Sequence, residues 1–187
     1  MTRFPVCRRI LVMAAMAALL VSCRSSHDPT RLEAVDLVAR LPGADCRPAG
    51  RCDVEVSGRR HYIRLAAPGR LTWILPLPQH AVLRTEVSAV GGPVGFRVGI
   101  ADDRTYEVLA TLPLTPEDGW KPLEVDLSAY AGWKWSLFYH PDRIRWRIIL
   151  SSDAVQGRTG VGLWGAPRIA APPEAILEYR RIPKPKA

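Results

Sequence analysis

Apolar runs long enough to cross a bilayer are missing from this chain. The longest, Ile10–Val21, has twelve residues, whereas a spanning helix needs about 20. Amphipathic helical periodicity of useful length is missing too. Cysteine is scarce, four in 187 residues, and no C-x-x-C pair occurs among them. The four histidines, His27, His61, His80 and His140, stand singly, with no second His or Glu at metal-ligand spacing, and there is no nucleophile elbow. No catalytic constellation is legible, so the expectation is a protein that is not an enzyme and carries no cofactor. Asp102-Asp103 and Glu117-Asp118 pair carboxylates, but in turn sequences, where acidic residues cap and solubilise. Oxygen ligands of this kind could hold a structural Ca²⁺, yet no spacing singles out a site. Acidic residues are also the minority, 18 against 26 basic ones.

What is present begins with Arg3, Arg8 and Arg9 ahead of the short apolar run, the charged and hydrophobic regions of an export signal. The run closes with Leu20, Val21, Ser22 and Cys23. This resembles the lipobox of bacterial lipoproteins, whose cysteine is lipidated on its thiol before cleavage just upstream. The resemblance implies a signal peptide at 1–22 and acyl chains on Cys23. At about 0.8 kcal/mol per buried CH₂, two or more chains give stable anchoring without a span. By likeness to Gram-negative lipoprotein sorting, Arg24 rather than Asp after the cysteine implies the outer membrane.

Cys7 leaves with such a signal and Cys23 is used by lipid, so Cys46 and Cys52 remain as an even pair in an oxidising compartment. A disulfide within DCRPAGRC is expected; a two-cysteine metal site would lack its other ligands. Without the three signal arginines, 23 basic residues face 18 acidic ones, about +5. The chain reads as exported and no basic run interleaved with aromatics appears, so nucleic acid is not expected as a partner; nor is nucleotide, because prolines follow the one glycine fingerprint. The excess arginine suits anionic envelope components or a solvated surface.

Residues 24–31 read as a polar tether after Cys23, and 32–40 allow one helical turn or a first strand. Beyond Cys52 the dominant period is two. Val94, Phe96, Val98 and Ile100 alternate with Gly95, Arg97, Gly99 and Ala101. The alternation recurs at Leu71, Trp73 and Leu75, at Leu83 and Val87, at Tyr106 and Val108, at Leu123, Val125 and Leu127, and at Ile144, Trp146, Ile148 and Leu150. Turn signals such as Pro68-Gly69, Gly91-Gly92-Pro93, Asp102-Asp103, Asp118-Gly119 and Gly157 separate the runs. The pattern predicts an all-β fold, a single antiparallel β-sandwich spanning 32–171, with a Pro-rich basic tail at 172–187.

One motif points elsewhere. Gly160 to Gly165, GVGLWG, fits the G-x-G-x-x-G fingerprint of dinucleotide-binding proteins. That fingerprint needs a helix whose N-terminal amides hold a pyrophosphate. Pro167, Pro172 and Pro173 block such a helix here. Val161, Leu163 and Trp164 therefore belong to a closing strand, with glycines where neighbouring chain comes close.

GWKPLEVDLSAYAG at 119–132, followed by LWGAPRI at 163–169, resembles the second half of jelly-roll modules of the galactose-binding-like, carbohydrate-binding type, as found beside bacterial sulfatase domains. Trp120, Asp126, Leu127, Ser128 and Gly132 match a Trp-led strand ending in an Asp-Leu-Ser turn. Trp164, Gly165 and Pro167 match a final Trp-Gly-x-Pro strand. The resemblance implies a jelly-roll-like sandwich and a binding role; it transfers no ligand-binding residue.

The segment 132–146 is longer and more aromatic than the strand that usually follows that glycine. Trp133, Trp135 and Tyr139 alternate along it, with His140, Arg143, Arg145 and Arg147 close by. Flat aromatic faces suit the apolar side of a sugar ring, and arginine forks suit an anionic sugar. The alternative is that the aromatics pack the end of the sandwich and the arginines line its solvent face. The expected function is that of a membrane-anchored envelope lipoprotein whose module binds glycan or an anionic polymer. A structural or assembly lipoprotein with a protein partner, bound through an edge strand or the basic tail, is the alternative, and an envelope-polymer hydrolase would need a cleft that no motif locates.

Overall fold

The computed structural model describes residues 32–57, 60–130 and 146–176. Cys23 and the segment carrying Trp133, Trp135, Tyr139, Arg143 and Arg145 lie outside the described residues. The strands are β1 (Leu32–Asp36), β2 (Asp45–Arg47), β3 (Cys52–Ser57), β4 (Arg60–Ala66), β5 (Gly69–Leu75), β6 (Val82–Val90), β7 (Val94–Ala101), β8 (Tyr106–Leu114), β9 (Lys121–Asp126), β10 (Trp146–Ala154) and β11 (Val161–Ala171). One sheet runs β3-β4-β11-β6-β9, with β1 added beside β11; the other runs β2-β5-β10-β7-β8. Every strand pair is antiparallel. The chain is an antiparallel β-sandwich, and 32–36 is its first strand.

The period-two residues meet between the sheets. Leu71, Trp73 and Leu75 of β5, Phe96, Val98 and Ile100 of β7, and Ile148 and Leu150 of β10 face Ile63 and Leu65 of β4, Leu83 and Val87 of β6, and Trp164 and Ile169 of β11, all at most 2% exposed. At the centre the rings of Phe96 and Trp164 make an edge contact with centroids 5.2 Å apart. The indole Nε1 of Trp164 donates to Ser152 Oγ at 3.2 Å, which satisfies the one polar atom that a buried tryptophan brings inside.

The fingerprint resolves as packing. GVGLWG lies within or next to β11, which continues as strand to Ala171, so no helix starts at its glycines. A Cβ on Gly162 would run into Ser152 Oγ and come within 3.0 Å of Phe96 Cε1. The glycine is there because the Phe96–Trp164–Ser152 cluster occupies the space of a side chain.

One strand departs from the expected alternation. Leu114 is buried and Leu112 half-buried, but Tyr106 and Val108 are 50% and 44% exposed. A register shift between Val98 and Gly99 puts one extra residue into β8. Such a bulge inverts the facing of the side chains on its two sides, so Tyr106 and Val108, across it from Leu112 and Leu114, point outward rather than to the core.

Cys46 of β2 and Cys52 of β3 form the expected disulfide, with Cα atoms 6.3 Å apart, and tie the two sheets together at one side. Acidic turn residues act as caps. Asp102 accepts from the backbone N–H groups of Arg104 and Thr105, and Asp118 accepts from the N–H and hydroxyl of Thr115. These bonds hold both carboxyls below the usual aspartate range. After β11 the residues 173–176 form one helical turn, and Ala175 and Ile176 are buried with Ala171.

Two stability measurements follow. Gly162→Ala overpacks the centre and is expected to cost about 1–3 kcal/mol in urea unfolding; an unchanged midpoint would show that the contact yields freely. Cys46→Ala with Cys52→Ala frees a short loop and is expected to cost roughly 2 kcal/mol on the chain-entropy model, read in the same way against the oxidised chain.

Candidate functional site

The outer face of the six-stranded sheet carries the charges that the core excludes. Alternation sends Arg84 and Glu86 of β6 and Glu124 of β9 outward while Leu83, Val87 and Val125 go in. Arg84 and Glu124 face one another across the strand pair. Arg84 Nε donates to Glu124 Oε2 at 3.0 Å, with the arginine side chain only 10% exposed and the glutamate 49%. The buried guanidinium is thus oriented by a carboxylate that still meets solvent.

A bulge in β11 shapes the space above them. Gly165 pairs with Glu86 and Arg168 with Arg84, so β11 spends an extra residue there. Ala166 in the bulge takes φ 39°, in the left-handed region that favours glycine. Thr85 Oγ1 donates to Gly165 O at 2.9 Å, a buried bond that occupies a carbonyl displaced from the ladder. Beyond the bulge, β1 replaces β4 as the neighbour of β11. Over this junction lies an open cavity of about 750 Å³, bordered by Asp36, Ala39, His61, Arg84, Glu86, Glu124, Ala166 and Arg168.

An aromatic pair stands beside it. A Cβ on Gly165 would come within 2.9 Å of Trp120 Cζ3, so the indole lies over the glycine on the outer face. The rings of Tyr62 and Trp120 meet edge to face with centroids 6.0 Å apart. Tyr62 OH donates to Glu55 Oε2 and Arg64 Nη1 to Glu55 Oε1, each at 2.9 Å. These bonds pull the Glu55 carboxyl below its ordinary range and push Tyr62 up.

Arg147 is the one described member of the sequence-derived ligand set. Its Nη1 donates to Asp102 O at 2.7 Å and its Nη2 pairs with Asp103 Oδ1 at 2.8 Å. It lies on β10, in the other sheet, and holds the Asp102-Asp103 turn. The rings of Tyr130 and Trp146 meet with centroids 5.3 Å apart. Among the described residues no group of three or more His, Cys, Asp or Glu side chains could hold a metal ion, and no helix is long and apolar enough to cross a membrane.

No protein-family model matches the chain, and no curated protein matches it. Solved structures similar in outline are carbohydrate-binding modules. A family 61 module in complex with β-1,4-galactotriose has a TM-score of 0.44 at 11% identity, covering 69% of this chain and 88% of its own. The C-terminal family 6 module of a laminarinase from Zobellia galactanivorans scores 0.42 at 14%, covering 75% and 98%. A xylan-binding family 22 domain from Paenibacillus barcinonensis scores 0.43 at 15%, covering 67% and 83%. At these values the likeness assigns neither a ligand nor binding positions.

The sequence reading left out Tyr62, Arg84, Glu124 and Arg168, and took Trp120 as structural only. The alternation of β6 and β9 marks Arg84, Glu86 and Glu124 as outward residues. Their meeting with β4 and β11 depends on a strand order that no local pattern states.

Tyr130 gives a pH test. Its OH donates to Glu107 Oε2 at 2.6 Å, and loss of that proton would set two anions face to face, so the phenol is pushed up to about 12. Because the folded value lies above the ordinary 10.0, the stabilisation from this bond is complete below pH 10 and lost as pH rises towards 12. Tyrosinate absorbance should show one phenol titrating late, brought earlier by Glu107→Gln; no late component in the native chain would contradict the bond.

Proposed function

We propose that this chain is a membrane-anchored envelope lipoprotein whose β-sandwich binds a glycan without converting it. The observation that carries the binding reading is the cavity over the β11 bulge, with the Trp120–Tyr62 pair at its side. Sugar rings offer an apolar face to an aromatic and a rim of hydroxyls to fixed donors and acceptors. Here Arg84, Arg168 and His61 supply donors, and Asp36, Glu86 and Glu124 supply acceptors.

The sign of the site supports a neutral ligand. Three carboxylates against two guanidiniums give no excess positive field, and Arg84 is already paired. The anionic-polymer version rests on Arg143, Arg145 and Arg147 with Trp133, Trp135 and Tyr139. Of these Arg147 is tied to Asp103, which reduces what it offers a polyanion. Membrane anchoring rests on the lipobox at Cys23 and the export signal before it. A protein partner is the second reading, supported by an open sheet edge at β3.

Isothermal titration of the chain with Cys23→Ser, against neutral oligosaccharides of glucose, xylose and galactose and against heparin, tests the reading. Trp120→Ala is expected to weaken neutral-glycan binding at least tenfold, about 1.4 kcal/mol, while Trp133→Ala with Trp135→Ala leaves it unchanged. Loss only in the second variant would move the site to the aromatic segment. Heparin binding without neutral-glycan binding would restore the anionic reading, and heat from none of these ligands would leave the protein-partner reading in its place.

A further inference from the structure

An unpaired strand edge invites another strand, and folded proteins blunt such edges with proline, lysine, bulges or brevity. Most edges of this sandwich are blunted. β9 carries Lys121 and Pro122, and β8 carries Pro113 and its bulge. β2 is three residues long, with Pro48 directly after it, and β1 breaks register between Glu33 and Val35.

β3 has no proline, lysine or bulge and is twice the length of β2; its two charges, Asp53 and Glu55, lie on the face opposite the valines. Its six residues, CDVEVS, include no Pro, Gly or Lys, and their register with β4 runs unbroken from Cys52–Leu65 to Ser57–Arg60. Among the described residues no strand pairs with its other side. Val54 and Val56 share the inward face with Cys52, yet they are 43% and 59% exposed. The opposing edge strand explains this. β2 ends at Arg47, and the Cys46–Cys52 disulfide closes the sandwich only at the first residue of β3. The two valines run past that closure as an apolar strip, with Asp53 and Glu55 on the opposite face.

We propose that β3 is a strand-addition edge that receives an extended segment of a protein partner, its apolar side chains alternating with basic ones. Main-chain pairing along β3 supplies affinity, and the alternate faces supply selection. Apolar side chains of the added strand extend the valine strip, and Lys or Arg side chains meet Asp53 and the exposed side of Glu55, whose carboxylate also holds Arg64 and Tyr62; with Arg64 the group still carries a net negative charge. A second copy of this chain fits worse. Antiparallel pairing of β3 with itself about Val54 sets Asp53 against Glu55 twice, and pairing about Glu55 sets that residue against itself; like charges directly opposite are destabilising. The inference does not depend on glycan binding at the bulge cavity.

The test uses the whole chain in non-ionic detergent and a seven-residue peptide alternating valine and lysine, with its valine–glutamate counterpart as control, followed by fluorescence anisotropy. Binding of the valine–lysine peptide is expected, at least fivefold tighter than the control. Val54→Thr with Val56→Thr should weaken it about tenfold, and Asp53→Lys at least fivefold. Val54 and Val56 are exposed, so the valine variant should keep the native thermal midpoint; Asp53→Lys sets a lysine opposite Arg64 and should lower the midpoint slightly, so both midpoints are measured alongside and affinities are read well below them. Absence of binding, equal affinity for the two peptides, or affinity unchanged in both variants overturns the proposal. So does a native dimer in sedimentation equilibrium that the double valine variant dissociates, since the edge would then belong to a second copy.

Discussion

The burial of the Trp164 indole is the constraint around which the rest of the sandwich is arranged. A tryptophan with no exposed surface brings about 200 Å² or more of apolar area to the core, but also an N–H that is costly to leave unpaired. Ser152 on the opposite sheet meets it. That pairing fixes the sheets in both separation and offset, because β10 must present its serine where β11 presents its indole. Gly162, two residues earlier on β11, then has no room for a side chain, and Phe96 closes the remaining flank. The register of the central strands β11, β10 and β7 is held at one point by shape and by one hydrogen bond together.

The same strand leaves its regular course at Gly165, and the cavity is the consequence. Up to Trp164, β11 alternates in step with both β4 and β6. The extra residue between Gly165 and Arg168 would leave a backbone carbonyl without its ladder partner, and Thr85 supplies a substitute. Pro167 has no N–H to lose at this point. Its carbonyl accepts from Leu37 N–H at 3.0 Å, which carries the end of β1 over the bulge. Asp36 Oδ1 accepts from the N–H groups of Val38 and Ala39 and shapes that turn. One irregularity thereby collects residues from β1, β4, β6, β9 and β11 around a single opening.

How much of this was legible follows from the range of each interaction. The alternation of Leu71, Trp73 and Leu75, or of Val94 to Ile100, is local and identified core faces directly. The Cys46–Cys52 pair and the strand reading of GVGLWG were also readable, the latter because proline forbids the competing helix. The Asp-Leu-Ser resemblance placed a turn where Asp126 Oδ1 indeed accepts from Ser128 N–H at 2.8 Å. Outward flipping of Tyr106 and Val108 was not readable, since a bulge in β8 depends on pairing with β7 and leaves no mark in composition. The bulge cavity was half readable. Ala166-Pro167 inside an apolar strand signals irregular pairing, but its neighbours come from segments up to about 130 residues apart in sequence.

Among the described residues the outer faces of the two sheets are finished differently. On the five-stranded sheet the charges neutralise one another: Arg97 pairs with Asp153 and Arg147 with Asp103. Tyr106 lies over Gly99, where a Cβ would come within 2.6 Å of its ring, and Ile149 and Ala101 are covered. On the six-stranded sheet Gly165 of β11 sits opposite Glu86, and the indole of Trp120, the residue before β9, lies over it. That indole takes the space over Gly165, and the opening lies at the bulge that follows, with Ala166, Arg168, Arg84, Glu86 and Glu124 around it.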